Sequence, residues 1–366
     1  MRNVFCCVIL LVTVCFLGGC GFKDIDKRFF VVATGIDKTD NEQKPYRITL
    51  QLALPSPKIE PGASKAQLET IDASSIAEGV RMLKSHVDKE LDFGHCKIFL
   101  VGEELARSDY SGMLQWMRRR RDIQSVADIA VAKPDAQALL GVKPVSERYP
   151  GNTLFLSFGA DGTDSPYTYV QPLSEFSKRA FEKGLDPLLP IIIPDSKESY
   201  IINRTALLNK NKIIMVLSPE ETQLFAQLAE SYPKSSVRGT YEDTQVVAAV
   251  SDIRSKYRMT TQGAKTVIAF KVKMSVVLED APENLYKQEW ASIEKKLSED
   301  YSRQAEELLR KIQQAGVDPF GFGLRYRANH HSNNPNEAYE KWLPIYPGAD
   351  FKVNAKVNIE GTGLIQ

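Results

Sequence analysis

The sequence predicts an α+β fold of three mixed α/β domains, the C-terminal one a long helix packed on an antiparallel sheet. Three observations carry this reading. Strand and helix patterns alternate through the first part of the chain without internal repeats, which reads as mixed α and β. Two late segments, Phe270 to Leu278 and Phe351 to Ile359, alternate apolar and polar residues, so each is a strand with one wet face. Between them runs a single apolar stripe at helical spacing. At 366 residues the chain also exceeds the usual limit for one hydrophobic core, so two or three domains are expected.

The elements follow in order. Arg2 is the only charge before Lys23, and Val4 to Leu17 is almost wholly apolar. That run is short for a bilayer span, which needs ~20 apolar residues, and has the form of a secretory signal over residues 1–19. It ends Leu17-Gly-Gly-Cys20, which resembles the bacterial lipobox, where the Cys thiol receives diacylglycerol and the chain is cut just before it. An ordinary signal with an incidental Cys is the competing reading, but a Leu three positions before a Cys fits the lipobox better. Cutting before Cys20 removes Cys6, Cys7 and Cys15 and leaves Cys96 without a partner, so an exported chain would rely on its core alone.

Residues 20–145 form the first expected domain. Phe29-Phe-Val-Val-Ala-Thr-Gly-Ile-Asp37 reads as a buried strand, and Tyr46 to Leu54 alternates as a half-buried one. A Pro-rich loop follows, then a helix with Ile76, Val80, Leu83 and Val87 on one face, capped by Ser74 or Ser75. Lys97 to Val101 is a strand, Tyr110 to Arg121 a helix, Ser125 to Ala132 a strand and Pro134 to Leu140 a short helix. Residues 146–200 show little regular pattern and read as a small middle domain.

The last domain covers residues 201–366. Trp290, Ile293, Leu297, Tyr301, Ala305, Leu308 and Ile312 form the stripe, on a helix of about 30 residues and ~45 Å. Gly316 fits its C-terminal cap, and Asp318-Pro319 prevents its continuation.

Composition and motifs exclude several function classes. Lys and Arg number 47 and Asp and Glu 46, so loss of Arg2 balances them, and nothing in that balance suggests nucleic acid or an anionic surface as the main partner. Arg118-Arg-Arg-Arg121 suits the negative end of a helix dipole as a solvated turn; contact with lipid headgroups or an acidic partner loop is the alternative. Adjacent His330-His331 lack metal-site spacing. Asp318-Pro-Phe-Gly-Phe-Gly323 follows a helix rather than joining a strand to one, so it reads as a turn and not a phosphate loop. No Gly-x-Ser-x-Gly, Walker loop or Cys/His nucleophile pairing occurs. No catalytic residue, metal site or cofactor is expected.

These residues together resemble a family along nearly the whole chain, the Ger(x)C lipoproteins, which are C subunits of spore germinant receptors. The resemblance runs from Gly19-Cys20 and Phe30 to Asp37, through Asp186-Pro-Leu-Leu-Pro190 and Thr205 to Thr222, to Asp318 to Gly323, Trp342 and the strand from Phe351. Members usually carry Trp directly after the lipidated Cys, where this chain has Gly21-Phe22. The resemblance implies a non-enzymatic protein held by S-diacylglycerol and an N-acyl chain on Cys20 at the outer face of the spore inner membrane. It implies partners too, a multispanning A subunit and a permease-like B subunit, in a complex that responds to small nutrients. No convergent polar cluster reads as a ligand pocket, so direct germinant binding is not expected of this chain. The competing reading is a solute-binding lipoprotein of a transporter, normally two similar lobes around a cleft.

Overall fold

The structure is a computed structural model that describes residues 27–53, 66–143, 150–158, 165–195, 198–262, 265–280, 290–330 and 335–362. Cys20 and its flanks lie outside the described residues.

Nine strands build the first sheet: β1 (Arg28–Lys38), β2 (Tyr46–Ala53), β3 (Ala66–Ala73), β4 (Glu90–Asp92), β5 (Ile98–Gly102), β6 (Asp128–Ala132), β7 (Leu188–Pro194), β8 (Tyr200–Leu208) and β9 (Ile213–Leu217). Their order is β3-β2-β1-β5-β6-β7-β8-β9, with β4 beside β1. The centre is parallel and both flanks are antiparallel. β5 and β6 are buried at every position, as expected of parallel strands covered on both faces. One face carries Phe99, Val101, Ile129 and Val131 beneath helices α1 (Ile76–Leu83), α3 (Ser111–Arg119) and α6 (Leu173–Phe181). The other presents Ile98, Leu100, Ala130 and Ala132 to α4 (Ala136–Leu140) and α5 (Pro150–Phe158). A short helix α2 (Glu103–Ser108) leaves β5. Ser75 caps α1, its Oγ accepting from Glu78 N at 3.2 Å. Residues 146–200 and 201–217 are not set apart from this sheet: β7 pairs with β6, and β8 and β9 complete the edge.

The second sheet is β10 (Ser236–Tyr241), β11 (Thr244–Gln262), β12 (Lys265–Asp280) and β13 (Asp350–Thr362), in that order. Helix α7 (Pro219–Glu230) enters from the first sheet, with Pro219 at its first turn and a reciprocal Ser218–Glu221 capping box. The long helix is α8 (Ala291–Gln314), with 24 residues. It is shorter than expected, since it begins after its N-cap Trp290 and ends at Gln314, before the left-handed Gly316. Ile293, Leu297, Tyr301, Ala305, Leu308 and Ile312 are all buried on the sheet. Gly316 takes φ +74°, the left-handed conformation of a helix-ending residue. Two short helices, α9 (Phe322–Asn329) and α10 (Pro335–Trp342), precede β13.

The expectation of an antiparallel sheet needs one correction. β10 to β12 are antiparallel, but β12 and β13 run parallel, with Phe270 opposite Val353. α8 returns the chain to the end of the sheet where β12 began, and such a crossover delivers a parallel strand.

The free edge of β13 is covered by side chains of α8. The amides of Val353, Ala355, Val357 and Ile359 donate to Glu306 Oε1 (3.0 Å), Ser302 Oγ (3.1 Å), Ser298 Oγ (2.9 Å) and Glu294 Oε1 (2.7 Å). Acceptors four apart on a helix meet amides two apart on a strand, because four helical residues rise about 6 Å and two strand residues about 6.6 Å. The helix thus stands in for a fifth strand and blocks pairing at this edge.

Candidate functional site at the junction of the two sheets

The two sheets share one apolar core: Leu188, Leu207 and Leu217 of the first pack with Phe225 of α7 and with the second-sheet cluster. Polar groups of unusual burial sit at its margin, in the loops before β7 and before α9.

Asp186 and Asp318 hold one another through their backbones. Asp186 N donates to Asp318 O at 2.8 Å, and Asp318 N donates to Asp186 Oδ2 at 2.8 Å. The Asp318 carboxylate accepts from Phe322 N (3.0 Å) and Gly323 N (2.7 Å), the first amides of α9. It is thus a cap for a helix that follows a left-handed Gly321. Burial pushes the Asp318 carboxyl up to about 7, against the pull of those amides and with the nearby Asp186 charge adding to the rise.

Lys210, in the turn between β8 and β9, donates to three carbonyls, those of Arg179 (2.7 Å), Glu182 (2.7 Å) and Leu185 (2.6 Å). Its Nζ lies 3.2 Å from Asp186 Oδ1. Desolvation lowers the ammonium pKa, and Asp186 opposes that shift. Arg179 reaches across the junction to Pro319 O at 2.8 Å, and Arg327 returns to Lys183 O at 2.8 Å and pairs with Glu182.

Two glycines let the backbones meet. Gly184 has φ +79°, and a Cβ there would lie 2.6 Å from Gly323 C and Leu324 N. A Cβ on Gly323 would lie 2.7 Å from the Trp342 ring. Leu324 N donates to Gly184 O at 2.8 Å. Phe320 and Phe322 stack at 5.3 Å, and Phe322 meets Tyr257 edge-on at 5.2 Å. This arrangement fixes one geometry between the two sheets. It offers a carboxylate cap, a tethered ammonium and no nucleophile beside a base. Among the described residues no three His, Cys, Asp or Glu side chains converge as metal ligands.

A second buried carboxylate anchors the first sheet. Asp37, at the end of β1, accepts from Ala136 N (2.7 Å) and Gln137 N (3.0 Å) at the start of α4, and burial pushes its pKa up to about 6. Cys96 is buried, its Sγ 3.4 Å from Thr34 Oγ1, and desolvation pushes the thiol up to about 12. Arg118 lies over the Phe181 ring at 4.1 Å, and Arg120 over Phe93 at 4.4 Å beside its ion-pair partner Asp122. His330 stacks on Tyr326 at 3.9 Å; His331 is outside the described residues. No helix among the described residues is long and apolar enough to cross a membrane.

Part of this junction comes from stretches singled out in the sequence, Asp186 to Pro190, Thr205 to Thr222, Asp318 to Gly323 and Trp342, while Arg179, Glu182, Gly184 and Arg327 lie outside them. Two family models match the chain, one described as spore germination protein N-terminal domain over residues 21–194, the other as spore germination B3/GerAC like, C-terminal, over residues 203–363. The chain belongs to the GerAC-like family of spore germination proteins. It is similar over its full length to two Bacillus subtilis (strain 168) proteins. YfkR is 20% identical and covered to 98%, and spore germination protein KC is 21% identical and covered to 97%. The crystal structure of the GerBC protein shares its fold, with a TM-score of 0.59 at 17% identity over 90% of this chain and 97% of that one. Within this GerAC-like fold, the first family model ends with β7 and the second begins inside β8, so their boundary lies within the first sheet.

Sequence reasoning missed Lys210, Asp186 and Asp37 as structural keys. A local signal existed for Asp318, an Asp four and five residues before the first amides of a helix. Lys210 carries none, since its acceptors come from the end of α6 and the loop after it, 25 to 31 residues away in the chain.

Proposed function

We propose that the chain is the lipid-anchored, non-catalytic C subunit of a nutrient germinant receptor. It is held by diacylglycerol on Cys20 at the outer face of the spore inner membrane and assembles with a multispanning A subunit and a permease-like B subunit. The observation that carries this reading is the pair of family models that spans residues 21–194 and 203–363, directly after a lipobox-like Leu17-Gly-Gly-Cys20. The junction is compatible with it: buried charge and close glycine contacts hold the two sheets as one rigid body.

A solute-binding lipoprotein would present two similar lobes. Here a nine-stranded sheet covered on both faces meets a four-stranded sheet crossed by one long helix. The test has two arms. Fatty-acid labelling should mark the parent chain and fail on Cys20→Ala, since the two chains of diacylglycerol supply the anchoring that one chain does not. Affinity purification of the anchored protein from spores should recover two multispanning proteins; undiminished label in Cys20→Ala, or recovery of a transporter instead, refutes the reading.

A further inference from the structure

The parallel strands β1, β4, β5 and β6 begin at one end of the first sheet, with Arg28 opposite Glu90, Ala33 opposite Ile98 and Ile98 opposite Asp128. Helices α1 and α3 deliver their C-terminal turns to that same end. Arg120 lies over Phe93, which follows Asp92, and Asp92 pairs with Arg28 at 2.7 Å. The segments gathered there, residues 27–28, 81–97 and 118–127, hold ten Lys and Arg against four Asp and Glu, in a chain that as a whole is close to neutral. Arg81, Lys84, Arg119 and Arg121 are exposed, and no carboxylate among the described residues pairs with them.

Apolar side chains stand among these cations. Val126 is 69% exposed, Phe181 54% and Met82 43%. A groove of about 490 Å³ runs between α1 and α3, with Ile76, Val80 and Trp116 in its wall and Arg81, Lys84 and Arg119 at one end. Dipole complementation accounts for a basic last turn on each helix. It does not account for four consecutive arginines, nor for a bare Val and Met beside them.

We propose that this end of the first sheet docks on the bilayer, its cations binding the phosphates of anionic phospholipid headgroups while Met82 and Val126 enter the interface. This rests on the lipid-anchor reading in one respect, orientation. Seven residues separate Cys20 from Arg28, and a chain of that length spans at most about 28 Å, so the end that carries Arg28 faces the membrane. The docking chemistry stands without the anchor. A headgroup phosphate fits the cationic end of the groove, and its glycerol fits the Trp116 wall. Cations near an anionic leaflet bind by a surface potential that salt screens within about 10 Å.

The test uses the whole chain after the cut, with Cys20→Ser so that no lipid is attached. Co-sedimentation is measured with vesicles of phosphatidylcholine alone and of phosphatidylcholine with about 30% phosphatidylglycerol, a level that gives an anionic surface. The chain should bind the anionic vesicles only and release in high salt. The triple variant Lys84→Gln, Arg119→Gln, Arg121→Gln should bind about 100-fold more weakly, at roughly 5-fold per cation, with unchanged circular dichroism. Equal binding to both vesicles, no binding to either at low salt, or a triple variant that binds like its parent overturns the proposal. So does a variant that keeps vesicle binding but loses a protein partner, which would assign the face to that partner. Failure of the anchor itself would appear separately, as missing fatty-acid label on the full chain.

Discussion

Asp318→Ala should destabilise the protein by an amount that shrinks as pH rises. The substitution leaves Phe322 N and Gly323 N buried without acceptors, and each such donor costs about 1–3 kcal/mol. A loss of roughly 2–6 kcal/mol follows where the parent carboxyl is protonated in the fold. Against this, the parent carries the cost of ionising a buried acid whose pKa rises from 3.8 to about 7. A carboxyl with a raised folded-state pKa binds more protons in the fold than in the unfolded chain between those two values. Its contribution to stability therefore falls as pH rises through that window and is level above it. At about 1.4 kcal/mol per pH unit, the parent loses roughly 3 kcal/mol between pH 5 and pH 8 from this group. The variant has no such group, while the buried Asp37 and Asp128, raised to about 6, act alike in both proteins and cancel in the difference. Urea melts at pH 5, 6, 7 and 8, read by far-ultraviolet circular dichroism, measure the gap between parent and variant. It should be widest at pH 5 and narrow by roughly 3 kcal/mol at pH 8. A gap that stays constant, or widens with pH, refutes the picture of a buried cap that is costly when ionised.

Gly184→Ala should cost roughly 2–6 kcal/mol, because it combines strain at φ +79° with a Cβ only 2.6 Å from the Gly323 backbone; a melting midpoint within error of the parent would show that the loops part easily. Leu297→Ala, at a buried position of α8, should cost about 2–5 kcal/mol, whereas the exposed Lys295→Ala should change stability by no more than about 0.5 kcal/mol in the same denaturant melts. The pair Ser298→Ala and Ser302→Ala should uncover the edge of β13, so that the Val357 and Ala355 amides exchange hydrogen about 10-fold faster or more while α8 stays helical; unchanged exchange would mean that other groups cover the edge.

The sequence made the second sheet legible where patterning alone decides. The α8 stripe and the alternating faces of β12 and β13 are where period 3.6 and period 2 place them. Their relative direction was not legible, since alternation is the same for parallel and antiparallel neighbours and only the crossover through α8 sets it. The row Glu294, Ser298, Ser302, Glu306 reads in sequence as a wet helix face. Its partners are strand amides 47 to 65 positions later in the chain, so no local signal separates it from solvent-facing polarity. The junction was hidden for the same reason. Asp186 and Asp318 stand 132 positions apart, and each looks locally like an Asp-Pro turn. The turn reading holds for Asp318 to Gly321, but Phe322 and Gly323 open α9, and the carboxylate of Asp318 is a buried cap for it. Residues 146–200 looked irregular because β7 is a continuous apolar strand with Pro at both Pro190 and Pro194, a pattern that shows no alternation to read.

The junction also limits how the protein can pass on a signal. A hinge between two sheets needs a few residues free to change φ and ψ and an interface that tolerates sliding. Here the loops before β7 and before α9 meet where neither Gly184 nor Gly323 has room for a single added carbon. The Lys210 ammonium is bound to a carbonyl in the last turn of α6 and to two in the loop that follows it, and Arg179 of α6 ties that segment to Pro319 of the other loop. Sliding by even a bond length would break the bonds from Asp186 N to Asp318 O and from Asp318 N to Asp186 Oδ2 in a partly buried setting, and an unmet buried group costs about 1–3 kcal/mol. The apolar core continues beneath, from Leu188 and Leu207 into Phe225 and the second sheet. A body so joined moves as one piece. Contact made at the basic end of the first sheet would therefore be felt at the second sheet as a rotation of the whole molecule, and a coupling that required the two sheets to open against each other would have to break this junction first.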